Sequence, residues 1–184
     1  MPSRSWSLVR RLAVVASMCA LPCVAPAPAA AKEAPRPTIA RLHVKKSTHE
    51  LRALAKDGAV IATYKVAIGP GGAGRKNQEG DLITPVGQYH VVMHLMTKWH
   101  EFMLIDYPNA SDRARFAELK RSGALPKDAT IGGQIGIHGS PSNPDLKADH
   151  KATDWTLGCV ALDDDEIAEL AKRVKDGTPV DIED

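Results

Sequence analysis

Along most of the chain, apolar residues alternate with polar ones or occur in short β-branched runs. The segments with this pattern are RLHVKK (41–46), HELRALAK (49–56), AVIATYKVAIG (59–69), GQYHVVMHL (87–95), EFMLIDY (101–107), QIGIHG (134–139) and TPVDIED (178–184). Glycine, proline, asparagine or aspartate punctuates them. A period of two puts apolar side chains on one face of a strand. The pattern predicts a mainly β domain, either a sandwich or a barrel.

Two segments have helical spacing instead. The apolar positions of DDDEIAELAKRVKDG recur at i, i+3, i+4 and i+7, and they are Ile167, Leu170, Ala171 and Val174. Asp163 is positioned to cap this helix and Gly177 to end it. The segment SDRARFAELKRSG (111–123) has a similar frame. We therefore expect one or two short helices in the β domain.

Residues 1–31 have the layout of a secretory signal peptide. Three arginines precede the apolar run LAVVASMCALPCV, and the small-residue stretch APAPAAA follows it. This layout predicts cleavage after Ala31, a short linker at 32–37 and a periplasmic protein without stable membrane insertion. Lipidation at Cys19 or Cys23 is the alternative, although Met18 and Pro22 precede these cysteines where a small residue is preferred.

The charge balance changes when the leader is removed. Taking its three arginines from the 24 basic residues leaves 21, against 22 acidic residues. The mature chain is then close to neutral, and nothing in its charge favours nucleic acid as a partner.

Cys159 would be the one cysteine left after cleavage, because Cys19 and Cys23 belong to the leader. Because the exported chain could then form no internal disulfide, the interpretation that Cys159 is kept for its chemistry is favoured. The alternative is a buried cysteine that packs as a small apolar side chain.

His138 is the second-last residue of the segment QIGIHG and would supply a general base beside Cys159. An imidazolium stabilises a thiolate, so we expect an ion pair and rapid alkylation of the thiol at pH 6 to 7. The backbone N–H groups of Gly158 and Cys159 would receive the oxyanion of a tetrahedral intermediate. Together these residues predict a thiol acyl-transfer site. A histidine that merely satisfies its hydrogen bonds at a strand end is the alternative for His138.

Two other motifs predict no cofactor or metal. GPGGAG (69–74) has dinucleotide-binding spacing, but charges, Gly80 and Pro85 follow it where a helix is required, so we expect a loop. His90 and His94 lie in a predicted strand, where residues four apart are too distant to chelate one ion easily.

The segments GDLITPVGQY (80–89), IGIHGS (135–140) and DWTLGCVALDDDEI (154–167) resemble the motifs of the L,D-transpeptidase catalytic domain, the cysteine enzymes of bacterial peptidoglycan. The resemblance covers residues 38–183 and implies a β-sandwich of mixed sheets. It also implies that Cys159 is the nucleophile, that His138 is the base and that the carbonyl of Gly139 orients its imidazole.

The resemblance further implies the substrate, a tetrapeptide stem of peptidoglycan held as a thioester before transfer to an amine. That amine would belong to a second stem or to an anchored lipoprotein. Tyr89, Trp155 and Thr156 are candidate substrate-binding residues, with a core position as the alternative for the two aromatic ones. Leu157 and Ala161 depart from the family pattern, which often has histidine and then arginine or asparagine at these positions.

Two further functions are compatible with the same residues. Water would resolve the thioester in an L,D-carboxypeptidase or amidase, which needs the same nucleophile and base. A catalytically inactive wall-binding or metal-binding module is the other alternative, in which Leu157 and Ala161 mark the loss of activity.

Export makes a prediction about the mature chain. Protein isolated from an extracytoplasmic fraction should begin at Lys32 or close to it, because the small-residue stretch ends at Ala31. Intact mass spectrometry measures this directly. A mass that retains residues 1–31, or one that includes a lipid on Cys23, would contradict a soluble periplasmic protein.

Overall fold

The computed structural model describes residues 37–184, so the predicted leader and residues 32–36 of the linker lie outside the described part of the chain. This part contains eight strands: β1 (Arg41–Lys45), β2 (Glu50–Leu54), β3 (Val60–Lys65), β4 (Gly87–Thr97), β5 (His100–Ile105), β6 (Gly136–His138), β7 (Val160–Ala161) and β8 (Pro179–Glu183). Three α-helices accompany them: α1 (Ala110–Arg121), α2 (Pro144–Lys147) and α3 (Asp164–Ala171).

The strands form one mixed sheet in the order β3-β2-β1-β8-β4-β5-β6-β7. Two pairs are parallel, β1 with β8 and β6 with β7, and the other neighbours are antiparallel. The first residues of β4 pair with β8, and its later residues pair with β5 beyond a register shift between Val91 and Met93. A bulge of this kind bends a strand, so β4 connects the two halves of the sheet.

One hydrophobic core serves both halves of the sheet. It includes Leu42 and Val44 of β1, Met103 of β5 and Val160 of β7, all nearly inaccessible to solvent. A bridge between Ala67, which follows β3, and Ala161 of β7 links the two ends of the strand order. The predicted mainly β class with few helices is confirmed.

The helix after the cysteine segment begins as its sequence predicts. Asp163 is the N-cap residue of α3, and its backbone N–H donates to Glu166 Oε2 at 3.0 Å. Ile167 and Leu170 are fully buried against the core. The predicted end at Gly177 is wrong, because the N–H groups of Arg173 and Val174 both donate to the carbonyl of Leu170 and the helix stops at Ala171.

The second predicted helix, at 111–123, is confirmed as α1, whose residues are all at least partly exposed. Helix α2, a single turn that begins at Pro144, was not predicted. None of the helices between residues 37 and 184 is long and apolar enough to cross a membrane.

Candidate active site

A cavity of about 720 Å³ opens beside the end of the sheet formed by β5, β6 and β7. Residues from the loop before β4, the β4–β5 hairpin, β6 and the segment before β7 line it. They are Lys76, Glu79, Gly80, Leu82, Leu95, Thr97, Trp99, Phe102, Leu104, Gly133, Gln134, Ile135, His138, Trp155, Thr156, Leu157 and Cys159. The cavity therefore brings together four of the seven predicted site residues: Cys159, His138, Trp155 and Thr156.

Parallel pairing of β6 with β7 sets the relative positions of Cys159 and His138. Ile137 pairs with Val160 and His138 with Ala161, so Cys159, one residue before β7, lies opposite Gly136. Side chains two residues apart on a strand share a face. Cys159 and His138 consequently project from the same face of the sheet, while Ile137 and Val160 project into the core.

The turn that carries Cys159 is held by hydroxyl groups. Thr156 Oγ1 donates to the carbonyl of Cys159 at 2.7 Å and accepts from the N–H of Gly158 at 3.2 Å. Thr84 Oγ1 also donates to the Cys159 carbonyl, at 3.4 Å, and accepts from the N–H of Gly69 at 2.9 Å. The GPGGAG loop and the threonine of the GDLITP motif thus support the cysteine turn.

Gly158 is required by this geometry. Its φ is +126°, and a Cβ at this position would lie 2.8 Å from the carbonyl oxygen of Ile83. Its N–H, predicted to bind an oxyanion, donates to Thr156 Oγ1. Release from Thr156 would be needed before this N–H could bind a substrate oxygen, so its oxyanion role stays a prediction.

The imidazole of His138 is fixed by one hydrogen bond and three aromatic neighbours. Nδ1 donates to the carbonyl of Gly139 at 2.8 Å. Because a carbonyl only accepts, Nδ1 carries the proton and Nε2 of the neutral ring keeps a free lone pair. Phe102 stacks on the ring with centroids 5.6 Å apart, and Trp99 and Trp155 contact it at 5.4 and 5.7 Å.

The carbonyl that orients His138 is itself anchored on both sides. The N–H of Gly139 donates to the carbonyl of Trp99 at 2.9 Å. Asp164 Oδ1 accepts from the N–H and the hydroxyl of Ser140, at 2.9 and 2.8 Å. A Cβ at position 139 would lie 2.6 Å from Asp164 Oδ1 and 2.8 Å from the Trp99 carbonyl, so the glycine is needed for this approach.

Asp164 is held ionised by its surroundings. Burial opposes its ionisation, but hydrogen bonds from Lys147 and from Ser140 lower the pKa of the Asp164 carboxyl below its ordinary value. Its Oδ2 also pairs with His100 Nε2 at 2.9 Å. A charged acceptor strengthens the two hydrogen bonds that fix Ser140.

Burial acts against charge on both members of the expected catalytic pair. It lowers the pKa of His138 to about 4, opposed in part by the hydrogen bond to Gly139. It raises the pKa of Cys159 to about 11, opposed by a backbone hydrogen bond and by the charge of Lys76. Burial of both groups therefore favours a neutral thiol and a neutral imidazole near pH 7 over the thiolate–imidazolium pair expected from the sequence. The thiol donates to the carbonyl of Gln134 at 3.7 Å.

The remaining sequence-based candidates take different positions. Tyr89 is 1% exposed, packs edge-on against Tyr107 and does not line the cavity. It occupies the core position that was its alternative, so we leave it out of the proposed site. His90 and His94 lie on β4 and pair with Asp106 and Asp176. Within residues 37–184, no group of three histidine, cysteine or acidic residues could hold a metal.

Besides Trp99 and Phe102, which contact His138, the site has four polar residues that were not singled out in the sequence: Lys76, Asp81, Thr84 and Asp164. Three of them belong to segments that were recognised as motifs, since Asp81 and Thr84 lie in GDLITP and Asp164 follows the cysteine in DWTLGCVALDDD. Asp81 contacts residues close to it in the chain, whereas the partners of Thr84 and Asp164 are far away in the chain and could not be predicted from the sequence.

A thiol and an imidazole that share one face of a β6–β7 pair, with a glycine carbonyl behind the imidazole, are the groups that a cysteine acyl-transfer reaction requires. The profile of the YkuD family, the L,D-transpeptidase catalytic domain, matches residues 39–182. The chain belongs to this family, which confirms the resemblance found in the sequence. A comparison with curated proteins found no match.

Solved structures show the same fold. The helical cell shape determining protein Pgp2 from Campylobacter jejuni is 27% identical with a TM-score of 0.58, and the match covers 80% of this chain and 48% of Pgp2. Bd1075 from Bdellovibrio bacteriovorus is 23% identical with a TM-score of 0.54, covering 82% and 49%. An L,D-transpeptidase from Mycobacterium tuberculosis is 14% identical with a TM-score of 0.51, covering 80% and 58%. The chain spans about half the length of Pgp2 and Bd1075.

The neutral pair predicts slow labelling of the free protein. At pH 7, iodoacetamide should alkylate Cys159 far more slowly than an ordinary cysteine, because a pKa of about 11 leaves much less thiolate than the usual pKa of about 8.5. The rate should still be rising at pH 9 to 10. The same protein unfolded in denaturant is the control and should follow the ordinary pKa. An alkylation rate that reaches its plateau below pH 8 would instead support the thiolate–imidazolium pair.

Asp164 should determine the tautomer of His138. Replacing Asp164 with Ala frees Ser140 and loosens the Gly139 carbonyl, so the preference for the Nδ1–H tautomer should fall by roughly two- to tenfold, the value of one hydrogen bond. Nitrogen-15 NMR of the imidazole measures this ratio. Asp164→Asn keeps an acceptor oxygen and should retain most of the preference. Asp165→Ala, at an exposed residue in the same turn, is the matched control, and equal spectra for both alanine variants would refute the role.

Proposed function

We propose that this protein is an exported L,D-transpeptidase that acts on peptidoglycan stem peptides in the periplasm. Its thiol would form a thioester with a tetrapeptide stem and pass the stem to an amine acceptor. The observation that carries the proposal is the placement of Cys159 and His138 on one face of the β6–β7 pair, inside one cavity. Membership of the L,D-transpeptidase catalytic domain family supports the substrate class.

The first half of the reaction forms the thioester. Cys159 Sγ attacks the carbonyl carbon of the diamino acid, and the thiol proton moves to Nε2 of His138, which is free to accept it because Nδ1 donates to Gly139. Collapse of the tetrahedral intermediate breaks the peptide bond. The imidazolium returns its proton to the leaving amine, so D-alanine departs neutral at nitrogen and the imidazole is regenerated.

The second half transfers the stem. An acceptor amine attacks the thioester carbonyl and gives its proton to Nε2, and the thiolate leaves and takes up that proton. The acceptor would be a second stem or an anchored lipoprotein. Because burial disfavours both charged forms, the proton is transferred during attack rather than before it. Since the pKa of His138 lies at about 4, the base is neutral above about pH 5, and turnover should fall only as the pH approaches 4.

The aromatic residues around His138 have a second use in this reaction. Trp99, Phe102 and Trp155 line the cavity as well as packing on the imidazole. Bound substrate would therefore lie against the same rings that hold the base, which couples substrate position to the orientation of His138. Trp155 and Thr156 remain in the proposed site, Trp155 as a wall of the cavity and Thr156 as a support of the cysteine turn.

We also propose a role in cell shape. The likeness to Pgp2, which is named as a helical cell shape determining protein, supports it. Altering the cross-links or stems of peptidoglycan changes the wall that determines shape, so the role follows from the proposed chemistry. Deletion of the gene with restoration by wild type but not by Cys159→Ala would test it in cells.

Product analysis tests the proposed reaction. Purified protein given disaccharide-tetrapeptides should yield dimers cross-linked between two diamino acids, together with D-alanine, as detected by mass spectrometry. Cys159→Ala should form no thioester and no product. His138→Ala should slow turnover by roughly a hundredfold to ten-thousandfold, the usual contribution of acid and base catalysis.

The controls separate the alternatives. His90→Ala is a matched histidine control, because His90 is exposed on β4 and does not line the cavity. Its turnover should stay within a few-fold of wild type. If tripeptide monomers were the sole product, the reaction would be hydrolysis and not transfer. If the wild-type protein formed no thioester with any stem, the inactive binding module would be the function that is left.

A further inference from the structure

The catalytic cavity contains an ammonium group that the proposed reaction does not use. Lys76 lines the cavity together with Cys159, and its side chain is only 3% exposed. Most of the lining is apolar or uncharged, and Glu79 is the other lining residue with a formal charge at neutral pH. A lysine is rarely buried without a partner.

The partner of Lys76 is Asp81, at 2.6 Å between Nζ and Oδ1. Asp81 does not depend on this one cation. Its carboxylate also accepts from the backbone N–H groups of Asn77 at 2.7 Å, Gln78 at 3.1 Å and Ile83 at 3.0 Å. Burial opposes its ionisation, but these bonds and Lys76 together lower the pKa of the Asp81 carboxyl. Three backbone donors are enough to stabilise a carboxylate by themselves.

Lys76 consequently has unused capacity. An ammonium group has three N–H donors, and within residues 37–184 Asp81 is the hydrogen-bond partner that Nζ has. Its charge also reaches the nucleophile, since burial raises the pKa of the Cys159 thiol and Lys76 opposes that rise. The ammonium is therefore both close to the reacting thiol and able to form further hydrogen bonds.

The backbone of Lys76 is held in place. Arg115 Nη1 donates to the Lys76 carbonyl at 3.4 Å and to Asn77 Oδ1 at 2.6 Å. Two residues earlier, the N–H of Gly74 donates to Asp184 Oδ2 at 2.8 Å. A cation whose position is fixed before the ligand arrives loses little entropy on binding.

We propose that Lys76 binds a carboxylate of the donor stem and so selects stems in which that carboxylate is free. This inference rests on the proposed function. A tetrapeptide stem carries a carboxylate on the terminal D-alanine, one residue beyond the bond that breaks. The diamino acid before that bond carries a second one when its side chain ends in an amino acid centre. Both lie close enough to the reacting carbonyl to enter the cavity that contains Cys159.

Amidated stems distinguish the two sources. The rate of thioester formation, as kcat/KM, should be measured by mass spectrometry for three donors: a stem with both carboxylates free, one amidated at D-alanine and one amidated at the diamino acid. For wild type, one of the amidations should lower kcat/KM by about 10- to 100-fold, the range of a hydrogen bond between charged groups. The sensitive position identifies the carboxylate that Lys76 binds.

The variants test whether Lys76 causes this discrimination. Lys76→Met should accept the free and amidated donors within about threefold of each other, whereas Lys76→Arg should retain a clear preference for the free carboxylate. Loss of structure or of thiol activation would lower the rates of all donors by the same factor and leave their ratio unchanged. The ratio therefore isolates recognition from those effects.

Lys46→Met is the matched control. Lys46 is another lysine with a 3% exposed side chain and a 2.6 Å ion pair, to Asp184, but it does not line the cavity. Lys46 also donates to the Gly74 carbonyl at 3.1 Å, so its replacement loosens the loop before β4 without removing the Lys76 ammonium, and the donor ratio should stay as in wild type. A measurement that needs no Lys76 variant uses Cys159→Ala with bound stems, in which the NMR signals of the Lys76 side chain should shift with the free stem and not with the sensitive amidated one.

Two results would overturn the proposal. Equal rates of wild type with all three donors would show that no carboxylate is selected, and an unchanged ratio in Lys76→Met would show that Lys76 does not select it. In both cases thioester formation would still support the transpeptidase. If the wild-type protein formed a thioester with none of the donors, the proposed function and this inference would both be refuted.

Discussion

The parallel pairing of β6 with β7 is the constraint on which the site depends. These are the two shortest strands, of three and two residues, and their register alone brings the residue before β7 to the face that carries His138. A slip of one residue would turn Cys159 into the core and Val160 into the cavity. Burial of Ile137, Val160 and Leu162 opposes such a slip, because each would lose its apolar surroundings. The core thus determines where the chemistry takes place.

Dense packing around the site has an electrostatic consequence. The aromatic rings that fix His138 also exclude water from it, so the contacts that orient the base make its charged form unfavourable. The same exclusion keeps Cys159 protonated. Oxidants and other electrophiles react with the thiolate, so a neutral thiol is protected from them. The contacts that position His138 and Cys159 therefore also disfavour the charged forms of both groups.

Features that depend on neighbouring residues were predictable from the sequence. Alternation identified the seven longer strands, and the start of α3 followed from Asp163 and the apolar spacing after it. The end of α3 was not, because Gly177 lies in the turn before β8 and the helix stops where two N–H groups share one carbonyl. Strand β7 was missed for a similar reason, since two residues show no periodicity and its pairing with β6 and Ala67 is entirely long-range.

The candidate site likewise has features that the sequence predicts and features that depend on tertiary contacts. Cys159 and His138 were recognisable from their types and from family motifs, but their protonation depends on burial by Trp99 and Phe102, which the sequence does not bring near them. Tyr89 illustrates the opposite error: an aromatic residue in a motif was a reasonable groove candidate, but its alternating position on β4 directs it to the core. The local sequence pattern identified Cys159 and His138, whereas tertiary contacts determine their protonation and their surroundings.

Position 161 connects the departure from the family pattern with the charge of the cavity. Ala161 pairs with His138 and is completely buried, while its N–H and carbonyl are both bonded to Ala67. The arginine that many family members have here would enter a space that this chain fills with a methyl group. Lys76 instead supplies a buried cation from the loop before β4, anchored by Asp81. The positive charge of this cavity thus comes from another element, and under the proposed function that charge would determine which stems are accepted.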